Sequence, residues 1–182
     1  MPRKETITKN YLIDNAFLLA RSEGIENVTA RKLAAKAGCS TQPIFRLYSN
    51  MDDLISEIYA KAVEYYANFY DNCKRVADEP FANLGYAYVR FATEEPKLFK
   101  MLFLSNNRYN FSMYEILNGS NGNVAQEMNK AKEAGVVNSG DLFTKMWIFI
   151  HGIACMTITG DYDLNEADTI ELLKNTYRSF VR

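Results

Sequence analysis

Apolar residues recur at helical spacing along almost the whole chain, and no stretch alternates with the two-residue period of a strand. Over residues 8–23, Leu12, Ala16, Leu19 and Ala20 form one stripe with Ile13 and Phe17 beside it, and Gly24 ends the segment. Thr29 reads as the N-cap of a short second helix whose inner face is Leu33, Ala34 and Ala37. Gly38 follows, where a left-handed C-terminal position favours a residue without a Cβ. Ser40 reads as the cap of a third helix, with Pro43 in its first turn and Ile44, Leu47 and Tyr48 turned inward. Asn50, followed by Asp52 and Asp53, opens a long fourth helix through Leu54, Ile58, Ala62, Tyr65 and Phe69 to about Lys74.

The remainder continues in the same period. Pro80 opens a helix carrying Leu84, Tyr88 and Phe91 that ends near Thr93, and Glu94-Glu95-Pro96 leads into a short apolar helix over 97–104. Ser105 to Arg108 reads as a loop, and the run Asn118-Gly119-Ser120-Asn121-Gly122 breaks a helical segment spanning about 111–134. Residues 141–159 are apolar all round, the mark of a helix buried on every side. Asp141, Lys145 and His151 interrupt this run, so it is too short for a membrane span. The last helix, from 166 to 181, carries Ile170, Leu173, Tyr177 and Phe180 on one stripe. The expected fold class is all-α with about nine helices.

Composition narrows the class further. A chain of 182 residues, 48% hydrophobic and 13% aromatic, can bury a sizeable core. Cys39, Cys73 and Cys155 are scattered, with no C-x-x-C spacing and no accompanying histidines, which excludes a disulfide framework and a zinc site and fits a reducing, cytoplasmic setting. The N-terminal charges precede no apolar run, so no signal peptide is expected. The formal net charge of −1 hides an asymmetry: residues 1–50 hold eight Lys/Arg against four acids, leaving the rest of the chain acidic. A basic end bearing a short helix pair is the electrostatic footprint of nucleic-acid binding. Arg3, Lys4 and Lys9 lie at the entry of the first helix, either as an arm able to reach phosphates or as a solvated terminus.

The outward positions of the third helix are Thr41, Gln42 and Arg46, with Phe45 beside them. Hydroxyls suit phosphates, and Gln42 or Arg46 suits base edges in a groove of DNA. An ordinary helical hairpin with a solvated face gives the same spacing. Thr29, Leu33-Ala34, Ala37-Gly38, Ser40, Ile44-Phe45, Tyr48 and Asn50 to Leu54 together resemble, without a gap, the helix-turn-helix of the tetracycline-repressor (TetR) family of bacterial regulators. Phe45 departs from the family's usual tyrosine, and Ser49 and Met51 from its common lysines, so Arg31, Lys32 and Arg46 inherit more of the phosphate contact. The candidate DNA-contacting set is Thr29, Arg31, Lys32, Ser40, Thr41, Gln42, Phe45, Arg46, Tyr48 and Ser49. Residues 1–50 form the expected DNA-binding domain and 51–182 a helical regulatory and dimerisation domain.

The second half resembles a subgroup of the same family through Glu95-Pro96 to Phe103 and through Trp147-x3-His151-Gly152. That resemblance implies a small-molecule effector. The abundance of large rings suggests a mostly apolar cavity with Phe69, Phe91, Phe103, Tyr114, Trp147 and His151 as candidate contacts. His151, the single histidine, is either a core residue with one polar partner, a polar handle for a ligand, or a catalytic group. Catalysis would need a nucleophile and a second titrating partner, which the sequence does not offer, and no phosphate loop is present. No catalytic residue, metal or cofactor is expected. The expected function is a ligand-responsive repressor, homodimeric, bound to a palindromic double-stranded operator, with no membrane partner. A constitutive DNA-binding protein whose second domain only dimerises is the alternative, and a helical enzyme a more distant one. The dimer is expected on 141–159 and 166–181, with Leu173 and Tyr177 in its seam.

Overall fold

A computed structural model describes residues 7–106 and 109–181, which places Arg3, Lys4 and Arg108 outside the described residues. These residues form ten α-helices and no strand: α1 Lys9–Glu23, α2 Ala30–Lys36, α3 Gln42–Leu47, α4 Met51–Asp71, α5 Ala82–Glu94, α6 Pro96–Phe99, α7 Met113–Asn118, α8 Asn123–Glu133, α9 Ser139–Thr159 and α10 Glu166–Phe180. A 3-10 turn over Ile25–Asn27 follows α1, and α6 runs on as a π-helix over Lys100–Leu104.

The chain divides into two compact units. The first comprises residues 1–64 and 97–110, the second residues 65–96 and 111–182, so α4 contributes to both. In the first unit α1 packs on α2, and Leu12, Ala16, Leu19, Leu33, Ile44, Leu54 and Ile58 form the core. Tyr59 donates its hydroxyl to the Leu102 carbonyl at 3.2 Å, tying α4 to the π-helical segment. In the second unit α5 is the central helix, buried along nearly its whole length against α9 and α10. Close approach there depends on Gly85: a Cβ at that position would stand 2.8 Å from Leu173 Cδ2 and 2.9 Å from Ile150 Cδ1.

Four expectations are corrected. The third helix is not capped by Ser40. It starts at Gln42, with Thr41 already in helical conformation at the cap, where its carbonyl accepts the Ile44 and Phe45 amides. The helix expected from Pro80 starts at Ala82, because Phe81 takes a left-handed φ of 65° while its amide donates to the buried Glu127 carboxylate at 2.6 Å. The helix α9 is not buried on every side. Leu142, Met146, Ile150, Ile153 and Ala154 are buried on one stripe, whereas Ile148 and Met156 are exposed on the opposite one. Finally, Leu173 and Tyr177 do not lie on an outer seam; both are buried within the second unit. By length and composition α9 could cross a membrane, yet it packs on α5, α8 and α10 and carries Asp141, Lys145 and His151.

Candidate nucleic-acid interface

Local chemistry fixes the helix pair in the first unit. Thr29 Oγ1 accepts the Lys32 amide at 3.3 Å, so α2 starts there. At its other end Gly38 turns the chain with a φ of 64°, and the Gly38 and Cys39 amides bond back to Ala35 and Ala34. Leu33, Ala34 and Ala37 on α2 and Ile44 on α3 are buried, which presents the remaining positions outward. Asn50 Oδ1 accepts the Asp53 amide at 2.9 Å and starts α4 directly after the pair.

Thr29, Arg31, Lys32, Ser40, Gln42, Phe45, Arg46 and Ser49 are exposed, and Thr41 is half-buried. Phe45 is 55% exposed. Thr41 makes no side-chain cap bond, and its hydroxyl has no hydrogen-bond partner among the described residues. Arg31 and Arg46 have no ion-pair partner among the described residues. Lys32, in contrast, donates to Glu23 at 2.6 Å and to Asn27 at 3.2 Å, so a phosphate would have to compete for it. Tyr48 stands apart: it is buried, donates its hydroxyl to Glu57 at 2.9 Å and has the Lys9 ammonium over its ring. Burial first, and the Glu57 hydrogen bond second, push its ionisation well up, so it stays a neutral donor that braces α3 against α4. Lys36 is a further exposed cation without an ion pair among the described residues, at the end of α2. The charge count included it, but nothing in the helix pattern singled it out.

The six candidate effector contacts are divided between the two units. Phe103 is buried in the first unit beside Phe99, at a centroid distance of 5.1 Å. The other five belong to the second unit. Phe69 meets Phe91 edge-on at 5.2 Å, and Tyr114 meets Phe143 edge-on at 6.3 Å. Trp147 packs against Tyr88 at 5.0 Å and His151 at 5.2 Å. The Tyr88 hydroxyl lies 2.9 Å from His151 Nδ1, and Cys155 Sγ lies 3.5 Å from Nε2, so both ring nitrogens have side-chain partners. One groove of about 290 Å³ is lined by Phe69 together with Tyr65, Asn68, Asn72, Cys73 and Arg90. Among the described residues no group of three His, Cys, Asp or Glu side chains could hold a metal ion.

The profile of the tetracyclin repressor-like C-terminal domain matches residues 81–180, more than half of the chain. The chain belongs to the TetR family. Membership makes it a transcriptional regulator rather than an enzyme. Solved TetR-type structures share the fold at low identity. A TetR-family protein from Vibrio parahaemolyticus superposes with a TM-score of 0.67 at 18% identity, over 93% of this chain and 96% of that one. RolR without ligand gives 0.58 at 15% identity, over 91% and 96%. The multidrug-binding protein EbrR, complexed with ethidium, gives 0.51 at 19% identity, over 92% and 96%. No curated protein matches the chain.

Proposed function

We propose that the protein is a cytoplasmic, homodimeric repressor that binds an operator through α2 and α3 and releases it when a small molecule binds the second half. One observation carries the DNA reading: the outward face of α2 and α3 gathers uncommitted cations, a hydroxyl, an amide and an exposed ring, directly above a fully buried apolar seam. Residues 1–50 read the DNA in this proposal, and residues 51–182 pair the subunits and receive the effector. Arg31 and Lys36 take phosphates, Gln42 and Arg46 reach base edges, and Tyr48 acts by holding α3 rather than by touching DNA. EbrR binds ethidium, and the rings around Phe69, Phe91 and Trp147 offer apolar surface for an effector here. Release requires that the effector favour one of two arrangements, since equal affinity for both shifts nothing. Because α4 runs through both units, it is the natural lever.

Gel shifts on DNA upstream of the protein's own coding region test the reading, with an unrelated duplex as competitor. Gln42→Ala or Arg46→Ala should cost about 1–3 kcal/mol on the operator and relax specificity at one base position. Arg31→Ala should weaken operator and competitor alike. Equal effects of all three on specificity would reject the division between reading and positioning. Operator binding that no cell extract changes would favour the constitutive alternative.

A further inference from the structure

At the C-terminal end of α4 the second unit carries a half-open cleft of about 400 Å³ that neither the DNA reading nor the dimer reading uses. Much of its polar lining is already committed. Asn121 donates to Asp71 at 2.6 Å. The Asn83 carboxamide is spent on the backbone of Val76 and Ala77. Lys74 is paired with Glu166.

Three side chains are left over. Arg75 is exposed and has no hydrogen-bond or ion-pair partner among the described residues. Asn123 is only 5% exposed, yet its carboxamide makes no hydrogen bond among the described residues. Its amide is not sealed from solvent, so it opens onto the cleft, where water or a ligand can satisfy it. The Tyr70 hydroxyl is likewise uncommitted among the described residues. Burial, and then the Glu127 charge, push its ionisation up to about 12, so it remains a proton donor at neutral pH. Asn123 is also the first residue of α8, an 11-residue helix that starts after a left-handed Gly122 with no side-chain cap at that position. Asn118 takes the Ala125 amide at 3.1 Å, and the positive end of the helix dipole faces the cleft.

We propose that this cleft binds a small anionic metabolite through a carboxylate or phosphate group. Arg75 supplies the counter-charge, and Asn123, Tyr70 and the first turn of α8 supply donors. Asp71, the carboxylate in the lining, is held by Asn121, whereas the Arg75 guanidinium and the helix N-terminus disfavour a cation and an apolar ligand would displace the water that satisfies Asn123, so the anion is the occupant that completes the set. The volume is in the range of small-molecule sites, about 300–1,000 Å³. Trp147 and His151 do not line this cleft, so it is separate from the aromatic effector surface.

The test is a two-dimensional amide NMR titration of the full-length protein with inorganic phosphate and, separately, with citrate, each at an ionic strength held constant with sodium chloride. Saturable shifts centred on residues 70–75 and 118–126 are expected with at least one probe. Arg75→Gln should weaken that binding roughly tenfold or more, as loss of a charge-assisted pair does, while Arg75→Lys retains part of it and both variants keep the wild-type melting temperature. A response to citrate alone assigns a carboxylate ligand, a response to phosphate alone a phosphorylated one, and a response to both the shared anion site. No saturable shift beyond chloride, or binding that Arg75→Gln leaves unchanged, means an adventitious ion only and overturns the proposal. Gel shifts on the same preparations separate the two readings: failure to bind operator would strike the regulator mechanism and leave the cleft standing.

Discussion

Leu173→Glu is expected to unfold the second unit rather than to separate subunits. Leu173 is fully buried, and its Cδ2 atom is the nearest neighbour a Cβ on Gly85 would meet. A glutamate there removes the packing of a buried leucine, about 2–5 kcal/mol, and adds an unpaired buried charge. A total loss above about 4 kcal/mol is a large part of the ~5–15 kcal/mol that holds a domain together. Thermal melts followed by circular dichroism should drop by roughly 8–16 °C if the variant folds at all, at about 2–4 °C per kcal/mol for a chain of this size. Gly85→Val should act in the same direction through the same contact, by forcing Leu173 and Ile150 away from α5. A Leu173→Glu protein that stays folded, melts near the wild-type temperature and sediments as a monomer would mean that Leu173 faces a second subunit after all.

The contrast with the sequence reading lies in which information is local. Thr29, Gly38 and Asn50 were legible because a cap and a left-handed turn are decided by atoms three or four residues away. Ser40 and Thr41 are both polar residues able to open a helix, and the local pattern does not separate them; the helix begins after Thr41, which already has helical dihedrals. Phe81 could not be read at all. Its left-handed conformation is tied to Glu127, 46 residues further along the chain, and no local pattern reports that bond. The same holds for Asn123 and Arg75, whose significance lies in partners they lack rather than in any motif.

For the dimer the difficulty was phase. An apolar run such as α9 announces that much surface must be covered, but not which residues face α5 and which face outward. Tyr88 and His151 illustrate the point from the other side: the ring stands out in the sequence as a polar group in an apolar run, while its partner on α5, 63 positions away, is hidden from any local pattern. The positions expected to face DNA are exposed or half-buried, because a two-helix motif leaves few choices of phase. Tyr48 is the exception, an apolar-faced residue whose hydroxyl is taken by Glu57.

Ile148→Glu, alone or with Met156→Glu, is expected to give a stable monomer that loses the operator. Ile148 is 66% exposed and lies on the stripe Thr144, Ile148, Gly152, Met156, Thr159, back to back with the stripe that packs on α5. Gly152 adds an argument. A mid-helix glycine costs about 1 kcal/mol relative to alanine, and a Cβ there would meet nothing within 4 Å in this chain, so no internal contact requires it. A second copy approaching closely along the stripe gives the glycine a reason, and a two-fold axis through it makes the surface self-complementary. Each reading helix alone has one half-site. Paired at about one DNA turn, ~34–36 Å, the two act together, and the gain from linkage is roughly 10²–10⁴ in affinity. The glutamate sits in water in the monomer, so the helical content and the monomer's own melting should change little, within about 0.5 kcal/mol for an exposed position. Light scattering should report half the wild-type mass, and gel shifts should lose operator binding by that same factor of about 10²–10⁴. A dimer that survives both substitutions would place the subunit contact elsewhere than on the outer stripe of α9.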